Sequence, residues 1–247
     1  MKGEMVMGAE KKIDAVLFDL DGTLIFLEQS SFLSEYFKSI SSFVVNYGLD
    51  PKRFVDSVMY GTNFMLNNDG SLMNSDIFWN NFFESYGERE KSEEIIKISD
   101  EYYVTKFKEL KAFTRYNANA KTAVDLAHNS GRKVVLATNP VFPMTAQLER
   151  LSWAGLSQDD FDLITSYENS SYCKPNPDYY IEICKKIGID PQNAFMVGND
   201  EREDMKAATE AGLMGYLSTD CRIMAKDFYW TGQRGTFEQV LHVLKII

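Results

Sequence analysis

The stretch Ala15-Val16-Leu17-Phe18-Asp19-Leu20-Asp21-Gly22-Thr23-Leu24 constrains this chain most. A short apolar run closed by a turn signal reads as a strand buried on both faces of a sheet. It ends in two carboxylates on alternate residues. Residues two apart on an extended chain point to the same side, so Asp19 and Asp21 are expected together at the strand's carboxyl end. Gly22 then permits a sharp turn. In an open α/β sheet, ligands bind at that edge. Crowded carboxylates repel unless a cation or proton intervenes. An Mg²⁺ site is therefore expected there, since Mg²⁺ is held by one or two carboxylates together with substrate phosphate oxygens. An Asp-Gly turn alone is common; the apolar run before it and three signals downstream give it weight.

Further short apolar strands are expected at 133–138, 161–165, 194–198 and 213–217, with helical stretches between them. One helix covers 118–128 and closes at Gly131. Another opens at Asn176-Pro177, with Asn as N-cap and Pro at the first helical position, and closes at Gly188. Phe237, Val240, Leu241, Leu244 and Ile247 give a last amphipathic helix. This alternation predicts an α/β fold with a doubly wound, mainly parallel sheet. Between residues 26 and 110 the pattern changes. Phe32, Leu33, Tyr36, Phe37, Ile40, Phe43, Val44 and Tyr47 recur at helical spacing, Asp50-Pro51 starts a second helix, and 75–86 and 92–107 supply two more. Aromatic stripes at this spacing are more often core than ligand cage. The expected organisation is a leader without order over 1–12, an α/β core domain over 13–25 and 111–247, and a helical cap domain over 26–110.

Three more strand ends carry chemistry. Val134-Val135-Leu136-Ala137-Thr138-Asn139-Pro140 closes a strand with a hydroxyl and an amide. Beside the first strand, Thr138 is placed to donate to a phosphoryl oxygen, with Asn139 and backbone N–H groups as neutral donors. In Cys173-Lys174-Pro175-Asn176-Pro177 two prolines restrict the backbone around a lysine that would otherwise be an ordinary surface residue. A carboxylate attacking a phosphate dianion meets strong repulsion, and a fixed ammonium offsets it. Phe195-Met196-Val197-Gly198-Asn199-Asp200-Glu201-Arg202-Glu203-Asp204 closes a strand with glycine and an acidic loop, which is also what a solvated helix start looks like.

In this order, the four segments resemble the four motifs of the haloacid dehalogenase (HAD) superfamily, in its phosphatase branch with a helical cap inserted after the first motif. The resemblance covers 13–24 and 113–217. It implies a Rossmann-like core and an Mg²⁺-dependent hydrolase of small phosphate monoesters that forms an aspartyl-phosphate. Asp19 would be the nucleophile and Asp21 the acid and base. Thr138, Asn139 and Lys174 would bind the phosphoryl group. The metal would be held by Asp19, the Asp21 carbonyl and the acidic loop, with Thr23 and Asp204 supporting from behind. One departure stands out: the family places an Asp directly after the glycine, where this chain has Asn199. Either Asn199 supplies an amide oxygen, or Asp200 takes the place after a small shift. The same parts would serve a phosphosugar mutase. A 2-haloacid dehalogenase lacks an acid at the place of Asp21, and a non-enzymatic binding module would not need Asp19, Asp21, Thr138 and Lys174 together.

The chain's 247 residues can bury a proper core. A net charge of −10 argues against nucleic acid as a partner and means that overall charge does not draw in a phosphorylated metabolite. A local cation must do so. Cys173, Cys184 and Cys221 show no metal or redox spacing, so free thiols in a cytoplasmic protein are expected. No stretch has the length of a membrane span. His128 and His242 gain no role, and oligomeric state and substrate stay open.

Overall fold

The computed structural model describes residues 12–247, so nearly all of the expected leader lies outside the described residues. The chain enters through β1 (Ala15–Phe18) and makes a two-residue strand, β2 (Ile25–Phe26). Four helices follow: α1 (Gln29–Val45), α2 (Pro51–Leu66), α3 (Asn74–Tyr86) and α4 (Ser92–Thr105). A 3₁₀ segment (Phe107–Phe113) leads back to β3 (Arg115–Tyr116), which pairs antiparallel with β2. Strands and helices then alternate: α5 (Ala120–Asn129), β4 (Lys133–Leu136), α6 (Met144–Trp153), β5 (Leu163–Ile164), α7 (Pro177–Ile187) and β6 (Ala194–Gly198). A π-helical turn (Glu201–Lys206) runs into α8 (Ala207–Glu210), followed by β7 (Met214–Ser218), β8 (Gln233–Gly235) and α9 (Phe237–Val243).

The main sheet has the order β5-β4-β1-β6-β7-β8, and all its pairs are parallel. Strand order reverses between β1 and β6, the switch point at which ligands bind in open α/β sheets. Phe18 lies opposite both Leu136 and Val197. That register carries Asp19, Thr138 and Asn199 to one edge.

Alternation along β1 builds both faces of the core. Val16 and Phe18 enter one apolar cluster, Ala15 and Leu17 the other. The first cluster continues without a break into the four-helix insert, through Phe32, Tyr36, Phe54, Phe82 and Tyr102. Local sequence explains the helix ends. The Asp50 carboxylate accepts from the Arg53 N–H and Pro51 takes the first turn, where its missing N–H costs nothing. Asn176 and Pro177 do the same for α7, and Gly188 ends it in the left-handed conformation at φ 68°.

The strands at 133–138, 161–165, 194–198 and 213–217 form within a few residues of expectation. The two-residue ribbon and β8, a polar and exposed strand of sequence Gln-Arg-Gly, lack the apolar run that reveals a buried strand. Among the described residues no helix is long and apolar enough to cross a membrane.

Phe107 joins the insert to the sheet. It is fully buried, stacks on Trp153 of α6 and meets Tyr36, Tyr102 and Phe142 edge-on or tilted. Phe107→Ala should lower stability by about 3–5 kcal/mol, read as a shifted urea midpoint. An unchanged midpoint would show that other contacts hold the insert in place.

Candidate active site

Lys174 organises the edge of the sheet where the candidate site residues meet. Its side chain is 1% exposed, and its Nζ donates to Asp19 Oδ1 at 2.8 Å and to Asp204 Oδ1 at 2.6 Å. The other Asp204 oxygen accepts the backbone N–H groups of Asn199 and Asp200, each at 2.9 Å. A short loop between prolines and the N-cap of α7 holds the lysine, and Tyr180 of α7 donates to the Glu203 carbonyl at 2.8 Å. Burial alone would disfavour the ammonium, but the Asp19 and Asp204 charges outweigh it and hold the Lys174 pKa well above its ordinary value. Burial pushes the Asp19 carboxyl up, to about 7, while Lys174 pulls against it.

Thr138 is buried. Its carbonyl accepts from the Thr165 and Tyr179 hydroxyls at 2.8 Å each, which fixes the strand end. Its own hydroxyl has no hydrogen-bond partner among the described residues. Asn139 is turned elsewhere. Its amide nitrogen donates to the Lys174 carbonyl at 3.3 Å and to Glu203 Oε2 at 3.2 Å, and its amide oxygen is buried without a partner. Burial pushes the Glu203 carboxyl up, to about 8, so a largely neutral acid sits behind Asn139.

Asp21 meets a residue that local sequence patterns do not reveal. Arg150 of α6 is 1% exposed, donates to Asp21 Oδ2 and Gln147 Oε1, and lies over the Phe142 ring with 4.7 Å to its centroid. Asp21 Oδ1 is buried and has no partner. Gly22 turns away at φ 88°, and a Cβ there would collide with the Asn199 amide. That amide is itself braced: its oxygen accepts the Thr23 hydroxyl at 3.1 Å and its nitrogen donates to the Cys221 carbonyl at 2.7 Å. Asn117, also absent from the sequence expectations, donates to the Thr23 carbonyl at 2.9 Å.

The acidic loop divides its work. Asp200 caps the helix that follows, one oxygen accepting from Arg202 and Glu203 N–H groups, the other unbonded among the described residues. The helix begins with a π turn, which takes up one residue more than an α turn. Glu201 is buried, pairs with Arg222 at 2.6 Å and accepts the Ala225 and Trp230 N–H groups, so it fastens the loop after β7. No pattern in the sequence marks Arg150, Glu203 or Glu201 for these roles, since each partner lies on a different element.

The donor set fits a small hard cation. Asp19 keeps one oxygen clear of Lys174, the Asp21 carbonyl accepts no hydrogen bond among the described residues, and one Asp200 oxygen is unbonded. Among the described residues no cluster of three His, Cys, Asp or Glu side chains forms a ready cage. Mg²⁺ needs none, because it takes one or two carboxylates and fills its octahedron with water and phosphate oxygens.

Known proteins carry the same arrangement of elements. A family model of haloacid dehalogenase-like hydrolases matches residues 13–212. A curated glyceraldehyde 3-phosphate phosphatase of Methanothermobacter thermautotrophicus is 28% identical over 116 residues, 47% of this chain and 48% of that protein. The chain thus matches about half the length of this curated relative. Two solved structures have similar folds. One is a predicted phosphoglycolate phosphatase of Haemophilus somnus 129pt, at TM-score 0.59 and 18% identity, covering 96% of this chain and 99% of the other. The second is a 2-haloacid dehalogenase of Pseudomonas syringae pv. Tomato DC3000, at TM-score 0.58 and 15% identity, covering 94% and 98%. With the family match spanning most of the chain and the carboxylates gathered at the switch point of the sheet, this protein belongs to the haloacid dehalogenase-like hydrolase family.

Proposed function

We propose that this chain is a phosphate monoester hydrolase working through an aspartyl-phosphate on Asp19. The observation that carries the reading is the Asp19–Lys174–Asp204 chain at the end of β1. It supplies a nucleophile fixed in direction and a buried ammonium beside the incoming phosphoryl group. The free Thr138 hydroxyl adds a neutral donor.

In the first step an Asp19 carboxylate oxygen attacks phosphorus. The ester P–O bond breaks as Asp21 gives a proton to the leaving oxygen. In the second, Asp21 takes a proton from water, the water oxygen bonds to phosphorus, and the bond to Asp19 breaks to release inorganic phosphate. Arg150 donates to Asp21 Oδ2 and so fixes the orientation of this carboxyl.

Asp19, the Asp21 carbonyl and Asp200 would hold Mg²⁺, which when bound neutralises charge on the phosphoryl oxygens. Asp200 is preferred over Asn199 because both ends of the Asn199 amide are braced, and the π turn supplies the extra residue that shifts the register. Residues 26–110 act as a cap over the catalytic edge, excluding water and choosing substrate.

Three outcomes check the reading. Asp19→Asn should abolish turnover of p-nitrophenyl phosphate with the circular dichroism spectrum kept, because an amide is a poor nucleophile; normal turnover by the folded variant would sink the covalent route. Asp21→Asn should lower kcat by about 10²- to 10⁴-fold, the usual worth of a positioned acid–base. Titrating Mg²⁺ against turnover should show Asp200→Ala demanding far more metal than the parent, and Asn199→Ala demanding less extra metal than Asp200→Ala. The reverse order would move the ligand to Asn199.

A further inference from the structure

A cleft of about 810 Å³ opens beside Asp21, between the β2–β3 ribbon, the start of α1 and the loop after β7. Asp21 is among its lining residues, the acid next to the leaving oxygen in the hydrolase reading above, on which this inference rests. Five charged side chains line it, and four are already compensated. Asp21 has Arg150. Glu28 caps α1, accepting from the Ser30 and Ser31 N–H groups, which holds its pKa down to about 2. Asp220 accepts the Phe237 N–H at 2.6 Å at the start of α9. Arg222 is paired with Glu201.

Arg115 is the exception. It is exposed, with no ion pair and no side-chain hydrogen bond among the described residues. It lies over the Phe26 ring, 4.6 Å from guanidinium carbon to centroid, opposite Phe26 in the ribbon. Ile25, the neighbour of Phe26, bridges directly to Asp21. Arg115 and Asp21 thus line one cleft, in a protein whose net charge of −10 otherwise repels anions.

We propose that Arg115 recognises a second anionic group on the substrate, so that the protein takes short phosphate monoesters whose leaving group ends in a carboxylate or a second phosphate. The guanidinium fork matches either anion with two parallel hydrogen bonds. A neutral polyol end would leave the cation unmatched.

The test compares three esters of equal chain length: an ω-hydroxyalkyl phosphate, an ω-carboxyalkyl phosphate and an alkanediol bisphosphate. The parent should favour at least one anionic ester over the hydroxyl ester by about 10- to 100-fold in kcat/KM, chiefly through KM, as a charge-assisted hydrogen bond provides. Which anionic ester leads distinguishes carboxylate from phosphate. Arg115→Gln should bring that ratio close to one, and Arg115→Lys should restore part of it. No preference in the parent, or a ratio that survives Arg115→Gln, would overturn the proposal. Binding of the same esters to Asp19→Asn by calorimetry decides the matter independently of turnover. If the parent cleaves no ester but Asp19→Asn binds the anionic ones selectively through Arg115, the hydrolase reading fails and the anion site stands. Equal binding of all three removes the site.

Discussion

One ammonium between two carboxylates sets the terms for the catalytic edge. Lys174 is enclosed, and so is Asp204, so neither charge is screened by water. Removing one partner from such a buried pair commonly costs about 3–5 kcal/mol, because the remaining charge is left uncompensated. The arrangement reaches further than the pair. The second Asp204 oxygen gathers the first two N–H groups of the acidic loop, and Lys174 fixes one Asp19 oxygen. Two strand ends, those of β1 and β6, and the start of α7 are thus tied through Lys174 and Asp204.

A second buried cation balances the other carboxylate of β1. Arg150 arrives from α6 and reaches Asp21 without passing through the first network. The two aspartates of one strand end are therefore separated electrostatically. Asp19 answers to Lys174 and Asp21 to Arg150, so each carboxylate has its own cation. Glu203 adds a third condition. Burial disfavours its charged form, which tempers the negative charge along this edge.

Much of this was legible in the sequence because the signals are local. Alternate carboxylates after an apolar run, a lysine between prolines, and a glycine before an acidic loop each report a strand end, and register brings strand ends together without further information. The insert helices announced themselves through aromatic periodicity and the Asp50-Pro51 start. Arg150 did not, since a lone arginine within an amphipathic helix looks solvated until its partner, 129 positions away, is known. Asn199 was equally opaque. Its braces, Thr23 and the Cys221 carbonyl, come from opposite ends of the chain, and the π turn that shifts the register after it has no local signature. Arg115 sits in a strand of two residues, too short to carry any periodicity.

The β2–β3 ribbon has a topological consequence. The chain leaves the ribbon at Phe26 and returns to it at Arg115, and those two residues lie opposite each other in register. Everything between them hangs from one doorway. Closing a segment onto fixed ends costs entropy only as the logarithm of its length, so the doorway admits graft after graft of different size while the sheet behind it keeps its register. A lineage can therefore trade one helical insert for another and change what is admitted, with the residues at the strand ends untouched.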